Sequence, residues 1–201
     1  MDIQISIMIV GVGGQGSLLA SRILGALATS AGCDVKVSEV HGMSQRGGSV
    51  VTYVKFSSAG AVGSPVICEG EADAIVSFEC LEAARWLPYL KRGGMVVDSS
   101  QRIDPMPVIT GVAAYPDGIG EGLRAAGADV HIIDAQQLAA QAGSDKAANV
   151  VLLGALCGLM ERAGHGELFN VPSFEAAIEA TVPPKTRELN ARAFEAGHAT
   201  V

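Results

Sequence analysis

The sequence predicts an α/β fold: a single doubly wound, mostly parallel sheet with helices on both faces and a helical C-terminal portion. The apolar, β-branched run at residues 3–10 indicates a buried first strand, and it leads into a glycine-rich turn. Residues 17–31 carry leucine and isoleucine at helical spacing, and residues 35–40 indicate a second strand. Strand, glycine turn, helix and strand in this order are typical of the start of a doubly wound domain.

The rest of the chain continues this alternation. Further strands are predicted at residues 50–56, 66–68, 74–77, 95–98, 108–112 and 130–134. Further helices are predicted at residues 79–90, 118–126, 135–142, 146–162, 173–181 and 185–196. Gly93 and Gly94 are expected to end the helix at 79–90. No repeat or linker interrupts the pattern, so residues 1–201 are predicted to form one domain.

The helix predicted at residues 146–162 is apolar on nearly all sides. Such a helix is buried in a core or lies in a subunit interface, and the sequence leaves both readings open. Its longest apolar stretch, residues 150–160, is too short to span a bilayer, and the N-terminus has no leader pattern. We therefore expect a cytoplasmic protein.

Composition excludes some partners. The net charge is -7 with an isoelectric point near 5.0, and no run of basic residues offsets it. Only 4% of residues are aromatic. A phosphate backbone would be repelled and stacking on bases would be weak, so neither nucleic acid nor an anionic membrane is an expected partner.

The four cysteines are far apart in the sequence. They are Cys33, Cys68, Cys80 and Cys157. None forms a C-x-x-C pair, whereas iron–sulfur clusters and structural zinc need closely spaced thiolates. The pattern predicts reduced cysteines packed as small hydrophobic residues, with no metal bound by this chain.

The turn after the first strand matches the G-x-G-x-x-G pattern between a predicted strand and a predicted helix. Its candidate residues are Gly11, Gly13, Gly14, Gln15 and Gly16. Glycines let backbone N–H groups approach an anion at a helix N-terminus. Three readings stay open: an NAD(P) or FAD site in which Glu39 would hold ribose hydroxyls, a smaller anion or substrate-tail site, or a turn that only allows close packing.

A second polar loop follows the second strand. Its candidate residues are Glu39, His41, Gly42, Ser44, Gln45, Arg46, Gly47 and Gly48. Because loops at the carboxyl ends of adjacent strands meet in an open sheet, we expect this loop beside the glycine turn. Arg46 could present its planar fork to a carboxylate or phosphate, or simply pair with Glu39 in a solvated turn. His41 alone is more typical of a structural hydrogen-bond partner than of a base.

Together the two loops resemble a known family. Gly-Val-Gly-Gly-Gln-Gly followed by Glu-Val-His-Gly-Met-Ser-Gln-Arg-Gly-Gly is similar to the γ-type domain of pyruvate/2-oxoacid:ferredoxin oxidoreductases. The apolar helix that contains Asn149 and the segments at residues 178–183 and 188–197 extend the resemblance over essentially the whole chain. The short separate chain resembles most the indolepyruvate branch, in which this domain is the separate β subunit.

The resemblance implies a function that this chain does not perform alone. The family oxidatively decarboxylates a 2-oxoacid, forms an acyl-CoA and passes two electrons singly to ferredoxin. It implies thiamine diphosphate, magnesium and iron–sulfur clusters on a large partner subunit, CoA as co-substrate, and no cofactor on this chain by itself. The sequence agrees, since the G-D-G…N-N thiamine signature is absent.

The resemblance also implies a site. The glycine turn, the second loop and Asn149 would line the substrate and CoA side of the partner's active site, with no catalytic residue on this chain. Asn149 could otherwise cap its helix or bond a loop backbone. A stand-alone nicotinamide or flavin oxidoreductase and a pure binding or scaffold module are the alternatives. The isolated chain could form a homodimer.

Overall fold

The structure is a computed structural model that describes residues 3–41 and 48–201, with every side chain in those ranges except that of His41. In the described part, six strands form one sheet in the order β2-β3-β1-β4-β5-β6. The strands are β1 (Gln4–Val12), β2 (Asp34–His41), β3 (Ser49–Ser57), β4 (Ala72–Ser77), β5 (Leu90–Ser99) and β6 (Asp129–Ile133).

The helices cover both faces of this sheet, as predicted. They are α1 (Ser17–Ser30), α2 (Cys80–Trp86), α3 (Met106–Ile109), α4 (Ile119–Ala125), α5 (Ala135–Ala142), α6 (Ala148–Met160), α7 (Val171–Thr181) and α8 (Arg187–His198). α2 and α4 pack on one face, while α1, α6, α7 and α8 form the thicker layer on the other. The helical C-terminal portion is therefore confirmed.

β1 shows why the sheet needs two layers of helices. Ile7 and Ile9 point into the larger core with α1 and α6, whereas Met8 and Val10 point into the smaller core with α2 and α4. All four side chains are fully buried. A strand buried on both faces needs a continuous apolar run, which is the pattern seen at residues 3–10.

The sheet order departs from one expectation. β1, β4, β5 and β6 run parallel to one another, but β3 lies between β1 and β2 and runs antiparallel to both. The assumption that the first two strands are adjacent was therefore wrong. β3 follows β2 in the sequence and pairs with it antiparallel, which needs only a short connection, whereas a parallel pair needs a crossover.

α6 lies inside this chain. All 13 of its residues are buried. The helical stretch Asp145–His165 is long and apolar enough to cross a membrane by length and composition, but 78% of its most apolar window is buried within the protein. Of the two readings, core and interface, the described contacts support the core.

α6 crosses α8 at very close range. A Cβ on Gly154 would lie 2.0 Å from the backbone oxygen of Phe194, and one on Gly197 would lie 1.8 Å from that of Val151. The two helices therefore touch backbone to backbone, which only glycine at both positions allows.

Prolines and local turns explain the elements that were wrongly predicted. Residues 108–112 form no strand: Pro105 precedes a short helix, α3, and Pro107 lies in its first turn, since proline lacks the N–H that a strand ladder needs. Residues 66–68 form no strand either, because Cys68 and Glu71 bond to each other in a local turn. The helix predicted at 79–90 ends at Trp86, and a 3-10 turn containing Pro88 follows it. Gly93 and Gly94 lie in β5 and therefore do not end the helix.

Candidate functional site

The glycine turn lies at the sheet edge where β1, β4 and β5 end, and the described end of the second loop contacts it. Val12 at the end of β1 pairs with Ser49 at the start of β3, and the Gly13 amide donates to the Gly48 backbone oxygen at 3.0 Å. The expected proximity of the two loops is confirmed at their described ends. Its cause is the antiparallel β3, which begins where β1 and β2 finish.

Five candidate residues lie outside the described residues. They are Gly42, Ser44, Gln45, Arg46 and Gly47. The contacts expected of Arg46, with a ligand or with Glu39, therefore stay predictions. His41 is described only in its backbone, which pairs with Val50 in the β2–β3 ladder.

Gln15 folds back onto the strand that precedes it. Its Oε1 accepts from the Val12 amide at 2.6 Å, and its Nε2 donates to the Phe78 backbone oxygen at 2.8 Å. A Cβ on Gly11 would lie 2.7 Å from this Oε1 and 3.0 Å from the Phe78 Cβ. Gly11 thus makes room for the protein's own glutamine, which joins the ends of β1 and β4.

Asn149 joins the glycine turn to α6. Its Nδ2 donates to the Gly16 backbone oxygen at 3.0 Å, and the residue is only 3% exposed. Gly16 has a φ of +89° and begins α1 without a side-chain cap. Of the two roles considered for Asn149, the bond to a loop backbone is the one observed.

A cavity of about 340 Å³ opens between these elements. Its lining residues are Gly14, Gln15, Gly16, Phe78, Ser99, Gln101, Gln136, Asp145, Lys146, Ala148, Asn149 and Leu152. It lies outside the carboxyl ends of parallel strands, where ligands bind in open α/β sheets. Four of the predicted site residues, Gly14, Gln15, Gly16 and Asn149, line it.

Five further polar residues of this cavity were not predicted as site residues. Ser99 ends β5, Gln101 follows it, Gln136 lies in the first turn of α5, and Asp145 and Lys146 precede α6. Ser99, Gln101 and Gln136 belong to no motif, so only their positions just after predicted strands could have drawn attention to them.

Carboxylates on either side of the turn are held by hydroxyl groups. Glu39 accepts from the Ser17 hydroxyl at 3.1 Å, which places it near the start of α1 as expected. Glu82, which is buried, accepts from the Ser49 hydroxyl. These bonds stabilise the packing of β2 and β3 against the helices on both faces.

Asp98, near the end of β5, is a buried carboxylate of a different kind. It is only 1% exposed, and among the described residues neither carboxylate oxygen has a hydrogen-bond partner. The two nearby side-chain donors are engaged elsewhere: the Ser77 hydroxyl donates to the Glu79 backbone oxygen at 2.7 Å, and the Cys80 thiol donates to the Ser99 backbone oxygen at 3.1 Å. Burial raises the pKa of Asp98 to about 7.

The described residues do not fit a cluster or a resident metal. Among the described residues no group of three His, Cys, Asp or Glu side chains is arranged to hold a metal ion. All four cysteines are free. Burial raises the pKa of the Cys33 thiol, and it raises the pKa of Cys80 and of Cys157 to about 12. Thiols that resist ionisation are poor ligands for iron or zinc.

Comparison with known proteins identifies relatives over nearly the full length. Residues 6–200 match the family described as pyruvate ferredoxin/flavodoxin oxidoreductase. The indolepyruvate oxidoreductase subunit IorB of Thermococcus kodakarensis is 43% identical over 96% of this chain and 93% of its own. The subunit of the same name from Archaeoglobus fulgidus is 38% identical over 97% of this chain and 94% of its own.

Solved structures share the fold. The pyruvate oxidoreductase subunit PORC of Thermotoga maritima matches with a TM-score of 0.71 at 19% identity, over 98% of this chain and 96% of its own. The 2-oxoglutarate:ferredoxin oxidoreductase of Magnetococcus marinus, solved with 2-oxoglutarate, coenzyme A and succinyl-CoA bound, matches with a TM-score of 0.69 at 20% identity. That match covers 98% of this chain but 30% of the longer one, so in that enzyme the same fold is part of a larger polypeptide.

Proposed function

The chain belongs to the pyruvate ferredoxin/flavodoxin oxidoreductase family and is a subunit of a 2-oxoacid:ferredoxin oxidoreductase, and on this premise we propose that it is the small, cluster-free subunit of an indolepyruvate-type enzyme. The identity of 43% with a subunit named for indolepyruvate supports this choice of 2-oxoacid. Residues 1–201 would form one domain of that enzyme.

In this proposal the assembled enzyme carries out the reaction. It decarboxylates an aryl 2-oxoacid oxidatively, transfers the acyl group to CoA and passes the two electrons one at a time to ferredoxin. Thiamine diphosphate, magnesium and the clusters reside on the large partner subunit. The cavity beside the glycine turn forms the substrate and CoA side of the partner's active site.

The single observation that carries this proposal is a ligand-sized cavity at the sheet edge whose described lining residues include no catalytic group. The cavity is lined mainly by amide and apolar side chains, and its two ionised residues, Asp145 and Lys146, are exposed at the rim. None of these groups is a poised base or nucleophile of the kind that a self-sufficient enzyme needs. The site is therefore expected to work only when a second protein completes it.

The remaining expectations follow from this assembly. The large subunit is the direct partner, and ferredoxin binds to the assembled complex. The expected location is the cytoplasm, where free thiols persist. In isolation the chain could form a homodimer. The acidic net charge of -7 continues to argue against nucleic acid and anionic membranes as partners.

Reconstitution tests the proposal. The chain would be expressed alone and together with the large thiamine- and cluster-bearing subunit of its own organism, and reduction of a viologen dye would be followed with indolepyruvate, phenylpyruvate and pyruvate in the presence of CoA. We expect no turnover by the isolated chain, and turnover by the complex that is fastest with an aryl substrate. Turnover by the isolated chain would exclude the proposal, and a preference for pyruvate would exclude the indolepyruvate assignment.

Arg46→Ala in the complex tests the second loop. We expect lower turnover with unchanged subunit association, because Arg46 is proposed to face a carboxylate or phosphate in the partner's cleft. The matched control is Arg92→Ala, since Arg92 is exposed near the start of β5, at the opposite edge of the sheet. Equal kinetics for the two variants would remove the role of Arg46.

A further inference from the structure

A chain of three glutamines crosses the cavity, and the backbone sets the orientation of its first member. The Val12 amide can only donate and the Phe78 carbonyl can only accept, so Oε1 of Gln15 must face the former and Nε2 the latter. The carboxamide of Gln15 cannot be reversed without losing both bonds.

The orientation of Gln15 determines the orientations of Gln101 and Gln136. Nε2 of Gln15 also donates to Oε1 of Gln101 at 2.8 Å, so the oxygen of Gln101 has to face Gln15. Nε2 of Gln136 donates to the same oxygen at 2.9 Å. The donor and acceptor positions of all three side chains are therefore determined by β1 and β4.

Two polar atoms remain unused at the end of this chain. Among the described residues, Nε2 of Gln101 and Oε1 of Gln136 have no hydrogen-bond partner, and both residues line the cavity and are half-buried. Gln15 and Asn149, by contrast, are occupied by backbone groups. The cavity thus offers free N–H donors, two on Nε2 of Gln101 and one on Nε2 of Gln136, and one free amide acceptor, Oε1 of Gln136.

The surroundings of these atoms are neutral. Phe78, Ala148 and Leu152 supply apolar surface, and the charges of Asp145 and Lys146 are opposite in sign and exposed. A carboxylate or phosphate could accept from Gln101, but it would place lone pairs against the carbonyl oxygen of Gln136. An amide-type group satisfies both atoms, because it carries an acceptor next to a donor.

We propose that this cavity binds a neutral amide-type group, with Gln101 donating to its acceptor and Gln136 accepting from its donor. The source of that group rests on the proposed function: CoA, the co-substrate, has secondary amides in its pantetheine arm and a donor–acceptor edge on its adenine. The site selects this chemistry over the carboxylate of the 2-oxoacid.

Binding to the full chain is measured without any partner. Side-chain amide signals of Gln101 and Gln136 would be followed by NMR during titration with pantetheine, adenosine, acetate or inorganic phosphate. We expect both signals to move with pantetheine or with adenosine, whichever part of CoA the site takes, and not with acetate or phosphate. No shift with either amide-type probe, or an equal shift with an anion, overturns the proposal.

Gln101→Glu is the sharpest variant, since its carboxylate still accepts from Gln15 and Gln136 and only the outward donor becomes an acceptor. We expect affinity for the amide-type probe to decrease about tenfold and affinity for benzamidine, which donates twice, to increase. Gln136→Met, which removes the acceptor, should weaken the amide-type probe as well. Unchanged affinity in both variants contradicts the proposal.

The readout separates this proposal from the function of the enzyme. If the complex reduces viologen but the chain binds no amide-type probe, only the assignment of the cavity is wrong. If the probe binds as expected but the complex has no 2-oxoacid activity, only the proposed function is wrong.

Discussion

Nδ2 of Asn149 lies 3.0 Å from the backbone oxygen of Gly16, a hydrogen bond between two residues that are 133 positions apart. It joins the start of the most buried helix to the turn that precedes α1. A Cβ on Gly16 would lie only 2.5 Å from that same nitrogen. The last glycine of the turn is therefore required by contact with the protein itself, in addition to its φ of +89°.

Gly16→Ala should destabilise the protein more than Gly14→Ala. Both residues have a positive φ, but a Cβ on Gly14 would meet nothing within 4 Å. Strain alone should cost about 1–2 kcal/mol in each variant, and the contact with Asn149 should add about 1–3 kcal/mol for Gly16. Urea unfolding of the two variants measures the difference; equal losses would mean that the contact with Asn149 contributes nothing.

The crossing of α6 and α8 gives a larger effect. Gly197→Ala would place a Cβ 1.8 Å from the Val151 backbone oxygen, so the helices must separate, and we expect a loss of about 3 kcal/mol or more. Gly158→Ala, whose Cβ would meet only the side chains of Val201 and His198, is the control and should cost less. Unfolding midpoints in urea compare the two. A similar midpoint for both variants would disagree with a backbone-to-backbone crossing.

Asp98 should make stability depend on pH. Burial raises its pKa to about 7 in the folded protein, whereas an unfolded aspartate has a pKa of about 4. Between these values the folded protein holds a proton that the unfolded chain has released. The free energy of unfolding therefore decreases as pH rises through this window, by at most about 1.4 kcal/mol per pH unit from this group, and levels off above about 7.

Asp98→Asn is the matched variant for this effect, because it keeps the shape and stays neutral. Its stability relative to the wild type should increase from pH 4 to pH 7, as measured by urea unfolding at several pH values. Parallel pH profiles for the two proteins would show that Asp98 does not titrate in this range.

Tyr115 holds the segment after β5 through Glu79. Its hydroxyl donates to Glu79 Oε1 at 2.5 Å, and the Ile103 amide donates to the same oxygen at 3.1 Å. Since a bond to a buried charged group is lost, Tyr115→Phe should cost about 1–3 kcal/mol and speed hydrogen exchange at the Ile103 amide. Tyr53→Phe, whose hydroxyl has no partner among the described residues, should cost less than about 0.5 kcal/mol. Unchanged exchange at Ile103 would speak against this anchor.

Much of the fold could be predicted because its signals are local. The apolar run of β1 and the leucines of α1 lie on elements whose periodicity needs no knowledge of their neighbours. The position of β3 could not be predicted in this way, since pairing with β1 and β2 depends on contacts distant in sequence. At residues 108–112 the apolar pattern predicts a strand, whereas Pro105 and Pro107 favour a short helix.

The residues of the candidate site were likewise predictable only where they belong to a local motif. Gly14, Gln15, Gly16 and Asn149 were found because they belong to motifs, and the structure brings them to one cavity. Gln101 and Gln136 belong to no motif, and their importance comes from hydrogen bonds across 86 and 35 positions. Single polar residues of this kind are recognised only when their partners are known.

A structure of the complex with its large subunit, determined with CoA present, would test most directly whether this sheet edge completes the partner's active site. We expect the cavity between Gly14 and Lys146 to open toward the thiamine-bearing part of the partner, with Gln15 at its wall. A cavity that opens to solvent on the side remote from the partner would contradict this placement.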